Sequence, residues 1–375
     1  MSDHVDTLEA LNKHMPLKEK LFNAHQVIKK SLPFIARIAI TIYDPETRVL
    51  KTFIHSSDNE SPLTNYQVLL DDAPSLKDIL DKGLPRVINN LLTIDDASKE
   101  HTKRIGRAGY AASYTMPMFN DGDFLGFIFF NSFATDVFNE QTLNQIDIFG
   151  HMISLMIIKE LTNIKILTAA LKTTSKITHM RDPETGSHLD RMSRYSRLIA
   201  SELADKYDLS DEYIEHIFMF SPLHDIGKVG IPDSILMKPD KLNQEEMEIM
   251  KTHASKGREI IDDILSNFGL EFIDNVNILR NIAEFHHEAV NGRGYPYGKK
   301  DGDIPLEARI VAVADIFDAL TSKRPYKNAW TNEAAFEELK QMAGEKVDQD
   351  CVNALLNNIE EVKKIQQLFK ENFYG

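Results

Sequence analysis

The feature that most constrains the fold of this 375-residue chain is a long stretch without helix breakers. No glycine or proline occurs from His151 to Arg181. Apolar residues recur there every three or four positions, which is the period of one helix face. The resulting apolar stripe comprises Ile153, Ile157, Leu161, Ile164, Leu167 and Leu171. Such a helix is either a core helix of one domain or a coiled-coil connector in a dimer. Flanking charges such as Lys159 favour a connector over residues 151–181, and with it a homodimer.

Before this stretch the apolar pattern is typical of strands and short helices. The predicted strands are residues 36–44, 49–55, 86–89, 113–119 and 124–132, and a helix is predicted at 75–83. The dipeptide Asp121-Gly122 between two apolar runs indicates a hairpin. Residues 1–150 are therefore predicted to form an α+β domain with an antiparallel sheet.

After this stretch the helical period continues through most of the chain. Two loops rich in glycine, proline and charge interrupt it near residues 228–242 and 289–304. The pattern predicts an all-α helical bundle over residues 182–375. The whole chain is thus expected to be an α+β domain joined by a long helix to an all-α bundle, which suits its length.

The composition excludes several classes of function. Lys and Arg total 43 against 57 Asp and Glu, a formal net charge of −14. This balance argues against non-specific binding to nucleic-acid polymers or anionic membranes. The single cysteine, Cys351, excludes intramolecular disulfides and cysteine-rich metal sites. The start is unlike a secretory signal and no apolar run could span a bilayer, so we expect a cytoplasmic location and no membrane partner.

Histidines and carboxylates gather in the predicted bundle. The residues that stand out are Glu184, His188, His224, Asp225, His253, His286, His287 and Asp315. Singly, each also has a structural explanation, such as a cap or a satisfied core histidine. As a set of imidazoles and carboxylates without thiolates, they suit Fe, Mn, Zn or Ni. An adjacent pair such as His224-Asp225 can hold a site from a helix end or serve two metals at once.

Longer motifs connect these residues. They are HDIGKVGIPDSIL at 224–236, HHEAVNGRGYP at 286–296 and IPLEARIVAVADIFDALTSKRPYK at 304–327. Together with His188 and His253, they resemble the HD-GYP family of phosphodiesterases over roughly residues 175–345. The order and spacing match over a length far greater than that of an isolated HD dipeptide.

The resemblance implies a set of metal ligands. The implied primary site is His188, His224, Asp225 and Asp315. The implied second site, to which Asp225 would bridge, is His253, His286 and His287. Glu184 occupies the position that supplies a ligand for a third metal in some members. The implied cofactors are therefore two or three metal ions, with iron the metal most associated with the family and manganese a substitute.

The resemblance also implies a substrate and roles for other residues. Family members hydrolyse cyclic di-GMP to linear pGpG, and some continue to GMP. Asp225 and Lys228 would be catalytic, with the Lys228 ammonium on the phosphate or the leaving oxygen. The implied substrate contacts are Lys228, Tyr295, Arg324 and Lys327. Two alternatives stay open: hydrolysis of a mixed cyclic GMP–AMP dinucleotide, and a receptor that binds cyclic dinucleotides without hydrolysing them.

Two positions depart from the family pattern. Asn291 stands where an aspartate is usual, and Arg293 stands where a small residue is common. Neither change removes an implied ligand, but both bear on the shape of the loop and on base preference.

The N-terminal half shows a looser resemblance to GAF domains over about residues 20–150. The segments that carry it are ARIAITIYD, KGLPRVINN and AGYAASYTMPMFNDGDFLGFIFFNS. The resemblance implies a sensory domain for an unknown small ligand, which would regulate the catalytic domain through the connector.

Overall fold

A computed structural model describes residues 6–13, 15–58, 63–91, 100–179, 186–271, 273–322 and 329–370. The chain divides into two compact units, Met1–Thr162 and Asn163–Gly375. Three of the predicted site residues, Glu184, Arg324 and Lys327, lie outside the described residues.

The first unit is built on one antiparallel sheet. Its strands are β1 (Arg37–Asp44), β2 (Val49–Ser57), β3 (Gln67–Leu69), β4 (Arg86–Ile88), β5 (Ala112–Asn120) and β6 (Asp123–Ser132). Their spatial order is β3-β2-β1-β6-β5-β4. The turn at Asp121-Gly122 joins β5 to β6 as the sequence predicts, and both residues have positive φ. The α+β fold class is confirmed.

Three helices accompany this sheet: α1 (Leu17–Ser31), α2 (Pro74–Lys82) and α3 (Glu100–Arg107). One face of the sheet packs on α1 and the first part of the long helix, through residues such as Leu21, Ile38 and Ile128. The prediction did not include β3 or α3. Strand β3 has only three residues and lacks an alternating pattern long enough to be recognised.

The predicted long helix is present as α4 (Glu140–His179), and the division between the units falls within it. Ile153 and Ile157 are buried in the core of the first unit. Ile164 and Leu167 are buried in the core of the second. The stripe residues that the structure describes therefore pack into the core of one unit or the other. The connector role and the homodimer remain predictions; apolar side chains of α4 that are exposed include Ile148 and Leu155.

The second unit is all-α, as predicted. After the end of α4 its helices are α5 (Gly186–Glu202), α6 (Ala204–Tyr207), α7 (Asp211–Phe220), α8 (Asp233–Leu236), α9 (Gln244–Lys251), α10 (His253–Phe268), α11 (Val276–Phe285), α12 (Leu306–Thr321), α13 (Asn332–Met342), α14 (Gln349–Asn357) and α15 (Ile359–Leu368). The 3₁₀ segments Ser221–Leu223 and Ile226–Gly230 follow α7.

The core of this unit brings the ends of several helices together. Tyr195 of α5 packs edge-on against Phe317 of α12, with ring centroids 5.2 Å apart. Ile282 of α11 and Ile261 of α10 are buried in the same core. Because buried side chains pack these helices closely against one another, polar residues at the helix ends are held in fixed relative positions.

No helix in the described part of the chain combines the length and the apolar character that crossing a membrane requires.

Candidate metal centre

Seven of the eight predicted metal ligands lie in two adjoining groups in the second unit. One group is His188, His224 and Asp315, and the other is Asp225, His253, His286 and His287. Within each group, every residue offers a ligand atom within 4.8 Å of the others. The residues come from the start of α5, the turn after α7, the start of α10, the end of α11 and the middle of α12.

Asp225 connects the two groups. Its Oδ1 lies 3.1 Å from Nε2 of His253 and 3.5 Å from Nε2 of His286. Its Oδ2 lies 3.3 Å from Nε2 of His224, which belongs to the other group. One carboxylate oxygen therefore faces each group, which is the orientation that a carboxylate bridging two cations adopts.

The imidazoles direct Nε2 toward the centre because Nδ1 is engaged elsewhere. Nδ1 hydrogen-bonds the carbonyl oxygen of Ser221 in His224, of Met250 in His253 and of Ile282 in His286. A carbonyl can only accept, so Nδ1 carries the proton and the Nε2 lone pair points inward. In His253 and His286 this lone pair faces Oδ1 of Asp225, a second acceptor, with no donor between them among the described residues.

Burial favours the neutral form of two imidazoles of the second group, His286 and His287. Desolvation lowers the pKa of His286, although Asp225 acts in the opposite direction. Desolvation and the neighbouring His286 hold the pKa of His287 well below its ordinary value. For Asp225, burial alone would raise the pKa, but neighbouring groups, the Lys228 ammonium foremost, outweigh it and hold the pKa well below the ordinary range. Neutral imidazoles around an ionised carboxylate are the protonation states that metal ligation requires.

A close backbone contact explains the glycine that follows the HD dipeptide. A Cβ on Gly227 would lie 1.9 Å from the carbonyl oxygen of His253 and 2.4 Å from the amide nitrogen of Gly257. Only glycine lets the 3₁₀ segment approach the first turn of α10 so closely. This contact brings Asp225 and His253 together.

Asp318 lies behind His188 rather than in the centre. Its Oδ2 is 2.8 Å from Nδ1 of His188, and its carboxylate accepts from Nε and Nη2 of Arg191 at 2.6 and 2.9 Å. Burial would raise the pKa of Asp318, but the hydrogen bonds from His188 and Arg191 hold it below the ordinary value. The Asp318 carboxylate thus orients the imidazole without being among the ligands.

The loop after His287 is shaped by Glu288. Its carboxylate accepts the backbone N–H of Tyr297 at 2.8 Å and that of Lys299 at 3.0 Å. A Cβ on Gly294 would lie 2.2 Å from the amide nitrogen of Ala289, so the loop turns back tightly on its own start. This fold places the Tyr295 ring against His287, with centroids 4.6 Å apart.

The two residues that depart from the family pattern lie in the same loop. Asn291 accepts the backbone N–H of Arg293 through Oδ1 at 3.0 Å, as an aspartate could. Its amide nitrogen also donates to Glu345 at 3.4 Å, which an aspartate could not do. The asparagine therefore preserves the turn and adds a link to the loop before α14.

Lys228 contacts the centre directly. Its Nζ lies 2.8 Å from Oδ2 of Asp225. The ammonium therefore lies at the edge of the centre, on the side of Asp225 that faces His224.

A cavity of about 500 Å³ opens beside the second group. His287, Asp315 and Tyr295 line it, and so do the cations Arg293 and Lys346. Lys346 was not among the site residues predicted from the sequence. Backbone bonds from Val290 and Asn291 to the carbonyls of Lys346 and Glu345 bring it here. A lysine in a short glycine-containing loop carries no signal by which sequence alone could have found it.

The donor set fits two divalent cations. Neutral imidazoles and carboxylates without thiolates suit borderline and hard metals of the first transition row. Acceptors that converge on one another within a buried site are stabilised by a cation between them. The described residues thus could hold one metal in each group, with Asp225 shared.

Comparisons with known proteins address the second unit. Residues 173–351 match the model of the HD domain family. The chain is 45% identical over 185 residues to the cyclic di-GMP phosphodiesterase response regulator RpfG of Xanthomonas campestris, covering 49% of this chain and 46% of that protein. A cyclic di-GMP phosphodiesterase of Thermotoga maritima is 38% identical over 205 residues, covering 55% and 53%.

A third relative is named for a different substrate. The 3'3'-cGAMP-specific phosphodiesterase 2 of Vibrio cholerae is 40% identical over 181 residues, covering 48% of this chain and 33% of that protein. The chain thus spans about half the length, or less, of these curated relatives.

Solved structures with a similar chain path include GAF domains. The phycocyanobilin-bound GAF domain of a cyanobacterial phytochrome is 16% identical, with a TM-score of 0.33, covering 42% of this chain and 96% of that chain. The GAF domain of a phosphoenolpyruvate-protein phosphotransferase from Coxiella burnetii is 13% identical, with a TM-score of 0.35, covering 41% and 89%.

Proposed function

We propose that this chain, whose residues 173–351 match the HD domain family, is a metal-dependent phosphodiesterase that hydrolyses cyclic di-GMP to pGpG. The observation that carries the proposal is the orientation of Asp225, whose two oxygens face two separate groups of imidazole and carboxylate ligands. When bound, two cations in such a centre would supply an activated water and neutralise charge that develops on the phosphoryl oxygens.

The proposed ligands follow the two groups. The first metal is held by His188, His224, Asp225 and Asp315, and the second by Asp225, His253, His286 and His287. The absence of thiolates and the mixed imidazole–carboxylate set are compatible with iron, which we propose as the metal, and with manganese.

Lys228 is proposed to act on the phosphate. Hydrolysis joins the oxygen of water to phosphorus and breaks the bond from phosphorus to the ribose 3′ oxygen, which leaves with a proton. The Lys228 ammonium lies 2.8 Å from Asp225. It is therefore near enough to the proposed metals to contact a phosphoryl oxygen or to donate to the leaving oxygen.

Tyr295 is proposed to contact the substrate beside the metals. Its ring lies against His287 on the wall of the cavity, where it can stack on a guanine or donate its hydroxyl to a phosphate. Glu184 as a ligand of a third metal, and Arg324 and Lys327 as contacts for the second phosphate, remain part of the proposal from sequence alone.

A mixed cyclic GMP–AMP dinucleotide is the second candidate substrate. Relatives named for cyclic di-GMP and for 3'3'-cGAMP match this chain at 45% and 40% identity over nearly the same length. The proposed ligands hold the metals, which would contact phosphate rather than base, so this set of residues does not discriminate between the two substrates.

The first unit is proposed to regulate the second. We propose that it binds a small molecule, that its state reaches the HD domain through α4, and that the chain acts as a homodimer. The continuous helix from Glu140 to His179 supports this route, because it contributes buried residues to the cores of both units.

The test is product analysis on cyclic di-GMP with protein loaded anaerobically with Fe²⁺ or with Mn²⁺. We expect pGpG, with or without GMP. Loss of activity in Asp225→Asn should accompany loss of bound metal, whereas Asp240→Asn, which changes an exposed carboxylate, should leave both unchanged. Metal-loaded wild-type protein that yields neither product would overturn the proposal, and bound substrate without turnover would indicate a receptor.

A further inference from the structure

Helix α15 lies along α5 in the antiparallel direction. Asn358, which precedes α15, donates through Nδ2 to Oε2 of Glu202, the last residue of α5, at 3.1 Å. At the other end, the carbonyl oxygen of Phe369, which follows α15, accepts from Nη1 of Arg191 at 3.0 Å. The end of α15 is therefore held against the first turns of α5, which carry His188.

The guanidinium of Arg191 is held on two sides. Its Nε and Nη2 donate to the carboxylate of Asp318 at 2.6 and 2.9 Å, and Nη2 also donates to Oγ of Ser322 at 2.6 Å. Nη1 donates to the carbonyl oxygen of Phe369 instead. A guanidinium is planar and presents its donors in a fixed fork. Acceptors on two sides therefore fix both its position and its plane.

This arrangement connects α15 to a proposed metal ligand. The Asp318 carboxylate that Arg191 holds also orients the His188 imidazole through Nδ1. We propose that Phe369 is a positioning residue for the metal centre, because it holds the guanidinium that aligns Asp318 against His188. Phe369 lies outside residues 173–351, the range that matches the HD domain family. This role rests on the metal ligands of the proposed function, but not on the substrate or the reaction.

The end of a helix is suited to such a contact. Carbonyls at the carboxyl end have no partner within the helix, and they form the negative end of its dipole. A cation such as the Arg191 guanidinium is therefore stabilised at the end of α15. Arg191 is only 5% exposed, so salt screens this interaction little.

The side chain of Phe369 keeps its own carbonyl in place. The ring lies against Arg194 of α5, whose Cζ is 4.2 Å from the ring centroid. Arg194 is buried, and its Cζ also lies 5.4 Å from the centroid of the Phe218 ring. A cation is attracted to the face of an aromatic ring, and more strongly where water is excluded. Removing the ring should therefore loosen the contact between residue 369 and Arg191 without removing a metal ligand.

The test titrates full-length, metal-free protein with Mn²⁺ by calorimetry. We expect Phe369→Ala to weaken Mn²⁺ binding by about threefold to tenfold, less than the loss of about 10–100-fold that is usual for a residue in direct contact with a ligand. Phe369→Leu, which keeps an apolar side chain without the ring, should also weaken it. Phe369→Tyr keeps the ring and should bind as the wild type does. The matched control Leu368→Ala alters a neighbouring side chain that is 67% exposed and should leave the affinity unchanged.

A spectroscopic measurement on metal-free protein separates positioning from general destabilisation. In protein labelled with ¹⁵N at histidine, the Nδ1–H proton of His188 is assigned by its absence from His188→Gln. Phe369→Ala should speed the exchange of this proton with water at least about threefold, because the opening is local. The Nδ1–H proton of His286, which is bonded to the carbonyl of Ile282, should keep its rate. A general loss of stability would speed both.

The proposal is wrong if Phe369→Ala binds Mn²⁺ as tightly as the wild type, if Leu368→Ala weakens binding as much, or if the two histidine protons change alike. Wild-type protein that binds no Mn²⁺ would overturn the metal centre of the proposed function, and the exchange of the His188 proton would then decide the positioning role alone.

Discussion

The Nδ1 atom of His188 lies 2.8 Å from Oδ2 of Asp318, and this contact determines which ring nitrogen faces the centre. Asp318 is fully buried and is held in turn by Arg191. A carboxylate in this position keeps the proton on Nδ1, so Nε2 of His188 presents a lone pair toward Asp315.

Replacing Asp318 with asparagine should therefore weaken the proposed metal site without removing a ligand. The amide would present a donor to Arg191 or His188, and the imidazole would lose its fixed tautomer. We expect metal affinity to fall by about 10–100-fold. Competition with a chelator, followed by elemental analysis, measures it. Ser322→Ala removes one hydrogen bond to the same carboxylate and one that Ser322 accepts from Arg191. It leaves the contact between His188 and Asp318 in place and should have a much smaller effect. Wild-type affinity in Asp318→Asn would contradict the positioning role.

Gly227 provides a test of the packing that forms the site. An added Cβ would meet the backbone of His253 and Gly257, and backbone atoms cannot move away as a flexible side chain can. We expect Gly227→Ala to lose about 1–3 kcal/mol of unfolding free energy and to bind less metal. Urea unfolding followed by the fluorescence of Trp330, the one tryptophan, reports on the second unit.

The control for this substitution is Gly302→Ala. Nothing lies within 4 Å of a Cβ at Gly302, so its stability and metal content should match those of the wild type. Equal behaviour of the two alanine variants would show that the close approach at Gly227 does not support the site.

The sequence predicted much of this centre because its ligands stand in a long motif with fixed spacing. It could not predict that the two oxygens of Asp225 face different groups, since that depends on the approach of α10 to the 3₁₀ segment before it. The sequence also could not predict that Arg191 holds the carboxylate of Asp318. An arginine on a helix is ordinarily a solvated residue, and only the fold buries it against Asp318.

The same distinction holds for the elements of the fold. Strands β5 and β6 were predictable because a turn signal separates two apolar runs. The apolar stripe of α4 predicted a helix but not its partners. The period of this stripe is equally compatible with a coiled coil and with burial in the cores of two successive units. Only the tertiary structure shows that Ile157 is buried in one core and Ile164 in the other.

Acid should destabilise the second unit through His216, which lies outside the proposed metal site. This imidazole is fully buried, and desolvation lowers its pKa from 6.5 to about 4. Between pH 6.5 and about 4, His216 therefore binds a proton in the unfolded chain but stays largely neutral in the folded chain. The free energy of unfolding should be unaffected by this group above about pH 6.5 and should fall by about 3 kcal/mol as the pH drops to about 4.

Urea unfolding of metal-free protein at several pH values, followed by Trp330 fluorescence, measures this slope. His216→Gln should flatten the slope between pH 6.5 and 4 whatever its effect on stability at neutral pH. An unchanged slope in this variant would mean that other groups cause the acid sensitivity.

Lys346 and Arg293 should contribute to substrate binding rather than to the chemical step. Both line the cavity beside the second ligand group, together with His287 and Tyr295, so each could contact a phosphate or a base of a substrate held there. If the proposed function is correct, Lys346→Gln and Arg293→Gln should each raise KM for cyclic di-GMP about fivefold to tenfold, the cost of one phosphate contact, with kcat nearly unchanged.

The split between KM and kcat separates this role from a structural one. Lys340→Gln alters an exposed lysine paired with Glu337 on α13 and should match the wild type in both constants. Because neither Lys346 nor Arg293 is a proposed metal ligand, metal content should stay at the wild-type level in both variants. A fall in kcat with unchanged KM would place these cations in the chemical step instead, and unchanged kinetics in both variants would remove them from the substrate site.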